Sequence, residues 1–89
     1  MIEKTVKLKN RLGLHARAAA KLVHTAAAFE AKVTLAREGD EVDGKSILGL
    51  LLLAASQGSE LLIRVDGRDE AEAFAALKDL IDRRFDEKE

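Results

Sequence analysis

The 89-residue sequence contains no cysteine, proline, tryptophan or tyrosine, and only two histidines. Without cysteine there is no disulfide framework, no thiolate nucleophile and no Cys-ligated zinc. Two histidines are also too few for a multi-histidine metal centre. A chain of this length buries one small core and cannot enclose a deep active site. We therefore expect a single domain over residues 1–89 that uses no metal or cofactor and carries its chemistry near the surface.

Long hydrophobic runs are missing as well. The apolar run at residues 47–55 is too short to span a bilayer. After Met1 comes a charged, alternating segment instead of the apolar centre of a signal peptide. We expect a soluble, cytoplasmic protein that does not insert into membranes.

Acidic residues are scarce in the first third of the chain. Residues 1–29 contain six lysines and arginines but a single acidic residue, Glu3, although the whole chain has a net charge of −1. The basic third predicts an acidic or phosphate-bearing partner, and the acidic remainder argues against a nucleic-acid partner.

The hydrophobic period alternates along the chain between about two residues, typical of strands, and about 3.6 residues, typical of helices. Alanine and leucine dominate the apolar residues, which favours helices over an all-β fold. Two-residue alternation predicts strands at residues 2–9, 32–37, 41–43 and 60–66, and helical spacing predicts helices from about His15, over residues 47–55 and after Asp69. The order β-α-β-β-α-β-α predicts an α+β fold in two layers, a four-stranded antiparallel sheet with three helices on one face.

His15 lies where the turn after the first strand meets the start of the first predicted helix. The first N–H groups of a helix lack intrahelical acceptors and carry a partial positive charge. Phosphate can therefore bind the backbone N–H groups of Ala16, Arg17 and Ala18. The Arg17 guanidinium can bind the same anion. The positive helix end also favours the neutral imidazole, which is the nucleophilic form.

This arrangement predicts that His15 accepts a phosphoryl group covalently. No acid and base pair of the kind that a hydrolase needs is visible nearby, so a carrier is favoured over a hydrolase. The competing interpretation is a generic α+β ligand-binding domain in which His15 only caps a helix, without covalent chemistry.

Two motifs extend this interpretation. Residues 10–17, NRLGLHAR, resemble the active-site segment of the HPr family, the histidine-containing phosphocarriers of the bacterial phosphoenolpyruvate-dependent phosphotransferase system. Residues 43–50, DGKSILGL, resemble the segment around the regulatory serine of the same family. The resemblance extends over essentially the whole chain, including its length and the spacing of the two motifs.

The resemblance implies an open-faced β-sandwich that carries phosphate and is not a stand-alone enzyme. His15 matches the histidine that accepts the phosphoryl group on Nδ1 from phospho-Enzyme I and passes it to IIA components of sugar permeases, and Arg17 matches the arginine beside it. The alternative is the nitrogen-type branch of the system, in which phosphorylation of His15 is a regulatory signal. The family commonly has proline after the arginine, whereas Ala18 here keeps the helix and adds an N–H group.

Ser46 precedes the second predicted helix and is expected to cap it. The resemblance implies that an HPr kinase/phosphorylase phosphorylates this serine where the host has one. The helix after it is too apolar to be buried on all sides, so we expect one side to be buried and Ile47 and Leu48 to be exposed. Together with basic Lys21, these residues would dock Enzyme I and IIA partners, and an exposed site of this kind is expected to work in a monomer.

Two further features have simple structural explanations. His24 falls on the polar side of the first predicted helix, away from free N–H groups, and is expected to be a surface residue. Asp69 and Glu72 have the spacing of a capping box at the start of the third helix, which explains them better than a catalytic pair of carboxylates.

Overall fold

Strands and helices follow one another in the predicted order. The structure, a computed structural model, describes residues 1–87. The elements are β1 (Ile2–Lys7), α1 (Ala16–Ala27), β2 (Lys32–Arg37), β3 (Asp40–Asp43), α2 (Ile47–Leu52), β4 (Glu60–Asp66), α3 (Glu70–Asp82) and a short 3₁₀ turn (Arg84–Asp86). The bounds of β2 and β4 agree with the sequence pattern, whereas β1 and α2 end earlier than predicted, at Lys7 and Leu52.

All four strands belong to one antiparallel sheet in the order β1-β4-β2-β3. The last strand in the chain, β4, lies between β1 and β2, with its Val65 opposite both Ile2 and Val33. Along β4, the fully buried Leu61, Ile63 and Val65 alternate with half-buried residues, as the two-residue period predicts.

The helices cover one face of this sheet and leave the other face open. The covered face contributes Val33, Leu35, Leu61, Ile63 and Val65 to the core, all fully buried. The other face carries polar and half-exposed residues, among them a network in which Arg64 donates to the carboxylates of Glu3 and Glu41. This arrangement confirms the open-faced, two-layer α+β sandwich.

The helical spacing of α1 predicts an inward face that consists of Ala19, Leu22, Val23, Ala26 and Phe29, and this face packs into the core together with Ala18. The buried residues are Ala18, Ala19, Leu22 and Ala26, and Val23 and Phe29 pack at the margin of the core. His24 is exposed on the opposite side, as predicted. The small alanine side chains bring the start of α1 close to the core.

The predicted capping box at α3 is wrong. Asp69 is the N-cap residue by position, but its side chain makes no capping bond to its own helix. Its carboxylate instead accepts hydrogen bonds from the backbone N–H groups of Glu30 and Ala31, both at 2.9 Å. Glu70, and not Glu72, turns back to accept a hydrogen bond, from the N–H of Gly67 at 3.1 Å. Asp69 therefore joins α3 to the segment before β2.

Helical spacing predicts an apolar stripe on α3 that consists of Ala73, Phe74, Leu77, Leu80, Ile81 and Phe85. The stripe is buried as predicted through Ile81, but Phe85 reaches the core in a different way. The helix ends at Asp82, and Arg84, Phe85 and Asp86 have φ of 58°, 55° and 61° in the following turn. Left-handed φ is uncommon for residues other than glycine. This turn reverses the chain while the Phe85 side chain stays fully buried, and it carries residue 87 towards the start of α1. Within residues 1–87, no helix is long and apolar enough to cross a membrane.

Candidate active site

The loop between β1 and α1 is packed tightly against the segment after α2. Gly13 has φ of +66°, and a Cβ atom there would lie 2.5 Å from the carbonyl oxygen of Ala55. The next residue, Leu14, donates its N–H to the same oxygen at 2.9 Å. Because only glycine fits this approach, Gly13 holds the residue that starts α1 beside the end of α2.

His15 is the N-cap residue of α1 and leaves the helix start open. Its backbone is extended, with φ of −81° and ψ of 178°, and no side chain caps the helix. Ala16 and Arg17 are exposed, whereas Ala18 is fully buried. The N–H groups of Ala16 and Arg17 are therefore the stronger candidates for anion binding, and the participation of the Ala18 N–H stays a prediction.

The imidazole of His15 has one occupied and one free ring nitrogen. Nε2 contacts Oε2 of Glu87, and the His15 side chain is 27% exposed. Within residues 1–87, Nδ1 has no hydrogen-bond partner. A free ring nitrogen beside an uncapped helix start is the arrangement that a phosphoryl acceptor requires.

A buried asparagine holds the carboxylate that contacts His15. Nδ2 of Asn10 donates to the carbonyl oxygen of Gly13 at 2.7 Å and lies 3.2 and 3.3 Å from the two carboxylate oxygens of Glu87. Burial raises the pKa of the Glu87 carboxyl, but the hydrogen bonds from His15 and Asn10 and the charge of Lys21 lower it by more, so its pKa lies below the ordinary value. Glu87 is therefore ionised at neutral pH.

Of the two basic residues singled out from the sequence, one is available and one is engaged. The side chain of Arg17 is on the exposed first turn of α1 and has no hydrogen bond or ion pair within residues 1–87. Lys21 donates from Nζ to the carbonyl oxygen of Phe85 at 2.8 Å and lies 4.0 Å from the Asp86 carboxylate. The ammonium group of Lys21 is thus already bound to the turn of residues 84–86. Its expected role in docking stays a prediction.

Helix α2 presents an apolar surface to solvent. Ile47 and Leu48 are exposed as predicted, at 43% and 68%. The buried side of α2 consists of Leu50, and Leu53 follows it. The exposed apolar face of α2 comprises Ile47, Leu48, Leu51 and Leu52, and Leu12 is exposed in the loop that packs beside it. Exposed apolar surface of this extent is typical of protein docking sites.

Ser46 is the N-cap residue of α2, as predicted. Its Oγ accepts a hydrogen bond from the N–H of Gly49 at 3.0 Å. The same turn is fixed by Asp43, whose carboxylate accepts a hydrogen bond from the Lys45 N–H at 2.9 Å. Phosphorylation of Ser46 is not tested by this geometry and stays a prediction.

The contact between His15 and Glu87 was not predicted from the sequence. The two residues lie 72 positions apart. The left-handed turn that brings Glu87 to His15 has no glycine at its positive-φ positions, Arg84, Phe85 and Asp86, so the sequence does not indicate it. The sequence places Asn10 only in the turn after the first strand. Its burial and its contacts with Gly13 and Glu87 come from the structure.

Comparisons with known proteins identify the family of the chain. A family model described as the PTS HPr component phosphorylation site matches residues 2–83. Phosphocarrier protein HPr of Xylella fastidiosa strain Temecula1 is 51% identical over 87 residues, which cover 98% of each chain. The chain belongs to the PTS-HPr family.

Solved structures extend the similarity to HPr over the whole fold. The crystal structure of HPr-C-His from Thermoanaerobacter tengcongensis covers 100% of both chains with a TM-score of 0.96 and 42% identity. An HPr dimer from the same organism covers 98% of this chain and 100% of its own, with a TM-score of 0.79 and 42% identity. Membership of the family gives the chain the function of a phosphocarrier that interacts with proteins of the phosphotransferase system.

Proposed function

We propose that this chain carries the phosphoryl group on Nδ1 of His15, accepting it from phospho-Enzyme I and passing it to IIA components of sugar permeases. The observation that carries the proposal is the free Nδ1 at the uncapped start of α1. The lone pair of Nδ1 attacks phosphorus, the bond from phosphorus to the donor breaks, and the same exchange in reverse transfers the group onward.

The surroundings of Nδ1 support binding of the transferred group. The N–H groups of the exposed residues Ala16 and Arg17 and the positive end of the helix dipole stabilise its negative charge. The guanidinium of Arg17 has no partner within residues 1–87 and can form charge-assisted hydrogen bonds to the phosphoryl oxygens. The site needs no deep pocket because the active site of the partner supplies the other side.

The exposed apolar face of α2 supports docking of Enzyme I and IIA proteins next to His15. The contact of Gly13 and Leu14 with Ala55 holds that face beside the site. Arg17 adds a positive charge that complements an acidic partner. We propose that the chain acts as a monomer in the cytoplasm, since a carrier must present this surface to successive partners. Light scattering at working concentration checks the first point, and a stable dimer would contradict it.

The test of the acceptor is incubation with phosphoenolpyruvate and Enzyme I, followed by measurement of the intact mass. We expect a gain of about 80 Da that is labile in acid, as a phosphoramidate bond is. The gain should be absent in His15→Ala and retained in His24→Ala, the matched control on the polar side of α1. An unmodified mass with an Enzyme I that phosphorylates another HPr would contradict the proposal.

The onward acceptor distinguishes sugar transport from the nitrogen-type regulatory branch. Sugar-specific and nitrogen-type IIA proteins are each incubated with the phosphorylated chain, and the loss of its added mass is followed over time. Faster transfer to the sugar-specific proteins supports transport, and faster transfer to the nitrogen-type protein assigns the regulatory role.

Regulation through Ser46 is a separate part of the proposal. A phosphate on Oγ would replace the capping hydroxyl and place negative charge next to Ile47 and Leu48, where Enzyme I docks. Incubation with ATP and an HPr kinase/phosphorylase should add an acid-stable phosphate that is absent in Ser46→Ala. Failure of the kinase of the native host to modify the wild-type chain would remove this part.

A further inference from the structure

The side chain of Glu87 lies between His15 and Asn10 and is only 11% exposed. It follows the left-handed turn of residues 84–86 and lies beyond the segment that the family model matches, which ends at residue 83. The motifs around His15 and Ser46 therefore do not account for it. Its contact with the His15 ring is to Nε2, the ring nitrogen opposite the proposed acceptor.

We propose that Glu87 is a positioning residue that holds the His15 imidazole as the tautomer with hydrogen on Nε2 and a lone pair on Nδ1. The proposal rests on the proposed function for the use of that lone pair in phosphoryl transfer. An ionised carboxylate can only accept hydrogen bonds, so the nitrogen that it contacts must carry the hydrogen. In a neutral imidazole the other nitrogen, Nδ1, is then the nucleophile.

The position of the carboxylate is fixed from two sides. Asn10 is fully buried, and its Nδ2 donates to Gly13 and to the Glu87 carboxylate. Reversal of this amide would turn Oδ1 towards two acceptors, so Nδ2 must face them even though Oδ1 is left buried without a partner. A buried polar atom without a hydrogen bond is costly. The hydrogen bonds from Nδ2 to Gly13 and Glu87 offset that cost at Oδ1.

The turn before Glu87 is anchored by Phe85 and Lys21. The Phe85 side chain is fully buried in the core, and its carbonyl oxygen accepts a hydrogen bond from Lys21 Nζ at 2.8 Å. Lys21 lies in the second turn of α1 and thus binds residues 84–86, while His15 at the start of α1 contacts Glu87. The ring orientation is therefore set by the fold and does not depend on the arriving partner.

The same contact serves the ring while it carries phosphate. When Nδ1 forms its bond to phosphorus, its lone pair is used and the ring, which keeps hydrogen on Nε2, gains positive charge. The Glu87 carboxylate lies against that charge. When the group leaves, the electron pair returns to Nδ1 and the ring is again the neutral Nε2–H tautomer. No proton has to be moved in either direction.

The first test measures the tautomer in the unphosphorylated protein by ¹⁵N NMR of the His15 ring at a pH where the ring is neutral. In Glu87→Ala we expect the ratio of Nδ1–H to Nε2–H to rise about tenfold or more, the factor that one hydrogen bond to a charged group supplies. Glu87→Gln should keep the Nε2–H form, because its carbonyl oxygen can still accept from the ring. Asp86→Asn, a carboxylate on the same turn that does not contact His15, is the matched control and should not change the ratio.

The second test asks which nitrogen is phosphorylated when no partner protein directs the reaction. Phosphoramidate is the donor: a ring nitrogen attacks phosphorus, the phosphorus–nitrogen bond breaks, and the nitrogen leaves as ammonia. We expect Nδ1-phosphohistidine from the wild type, Glu87→Gln and Asp86→Asn, and a mixture that includes Nε2-phosphohistidine from Glu87→Ala. The ³¹P and ¹⁵N spectra of the products distinguish the two isomers.

An unchanged tautomer and product in Glu87→Ala would overturn the proposal. A Gln variant that behaves like the Ala variant would also overturn it, because the charge and not the accepting oxygen would then set the ring. Neither result depends on Enzyme I. A wild-type chain that shows the Nε2–H tautomer but takes no phosphate from Enzyme I would contradict the proposed function and leave the role of Glu87 standing.

Discussion

Helices α1 and α2 begin in opposite ways. At α2, the N-cap Ser46 turns its hydroxyl back to accept from Gly49, so the helix satisfies part of its own N-terminus. At α1, the N-cap His15 makes no such bond, and its ring instead contacts Glu87. The closed start stabilises its helix, whereas the open start leaves N–H groups and a ring nitrogen available to an anion.

This difference shows how one physical feature serves two purposes. Orphan N–H groups at a helix start are a cost in a folded protein, and a Ser or Asp cap removes part of it. At α1 that cost is left uncompensated by the N-cap side chain, so a phosphoryl group can supply the missing acceptors. The function that we propose for the α1 start therefore depends on the absence of a stabilising contact.

The strongest way to break the contrast is to close the start of α1. His15→Ser and His15→Ala should both abolish phosphoryl uptake, because each removes the ring. His15→Ser should be more stable than His15→Ala by about 1 kcal/mol, since a serine hydroxyl can cap the helix. Intact mass measures the uptake, and urea unfolding measures the stability. Equal stability of the two variants would show that the N-terminus of α1 is not open to capping.

Removal of the cation at the open start should have the next largest effect. Arg17→Ala should lower the rate of phosphoryl acceptance about tenfold to a hundredfold, because it removes charge-assisted donors to the transferred group. Timed mass spectrometry with limiting Enzyme I measures the rate. Arg68→Ala, which removes the same charge from an exposed pair with Glu30 near the far end of α1, is the control. Equal rates in the two variants would exclude a role for Arg17 at the phosphoryl group.

Opening the closed start should affect stability and not acceptance. Ser46→Ala should lower the free energy of unfolding by about 1 kcal/mol, through loss of the bond to Gly49. Its acceptance of phosphate from phosphoramidate should equal that of the wild type. Ser46→Asp should recover the stability, because aspartate caps helices as well as serine does. A fall in phosphoramidate acceptance in Ser46→Ala would mean that the two helix starts are coupled.

The third helix sharpens the comparison through pH. Backbone hydrogen bonds, that from Glu30 foremost and that from Ala31 after it, lower the pKa of the Asp69 carboxyl against the opposing effect of burial. Because the folded pKa is below the unfolded value of about 3.9, its stabilisation is present above that pH and is lost as pH falls through the folded pKa.

Asp69→Asn should therefore lower the Tm at neutral pH, and its difference from the wild type should shrink on acidification. Asp40→Asn, at an exposed hairpin position, is the control and should leave the Tm unchanged. A difference that is constant with pH would show that the carboxylate charge is not what holds residues 30 and 31.

Local patterns predicted the parts of the fold that depend on local periodicity. The alternation at β2 and β4 and the spacing in α1 gave the correct faces because each element has one covered side. The start of α1 at His15, and hence the candidate acceptor, followed from the same pattern. The predicted exposure of Ile47 and Leu48 was correct, but the predicted burial of one whole side of α2 was not complete. A helix of six residues buries little more than Leu50.

What the sequence could not predict depends on contacts between distant residues. Asp69 has the spacing of a cap, yet two backbone N–H groups before β2 compete for its carboxylate. Phe85 fits the stripe of α3, yet it reaches the core through a left-handed turn. Glu87 reaches His15 only because that turn reverses the chain, and no periodicity records such a reversal.

The opposite placement of the two ends of the described chain matters to anyone who fuses another protein to it. The N-terminus of Met1 pairs with Glu70 at 2.9 Å, and β1 separates it from the His15 loop by about 20 Å, the length of six strand residues. Residue 87 contacts the His15 ring itself. A protein attached at Met1 would thus emerge away from the His15 ring, whereas one attached at residue 87 would start beside that ring and compete with a partner that approaches it.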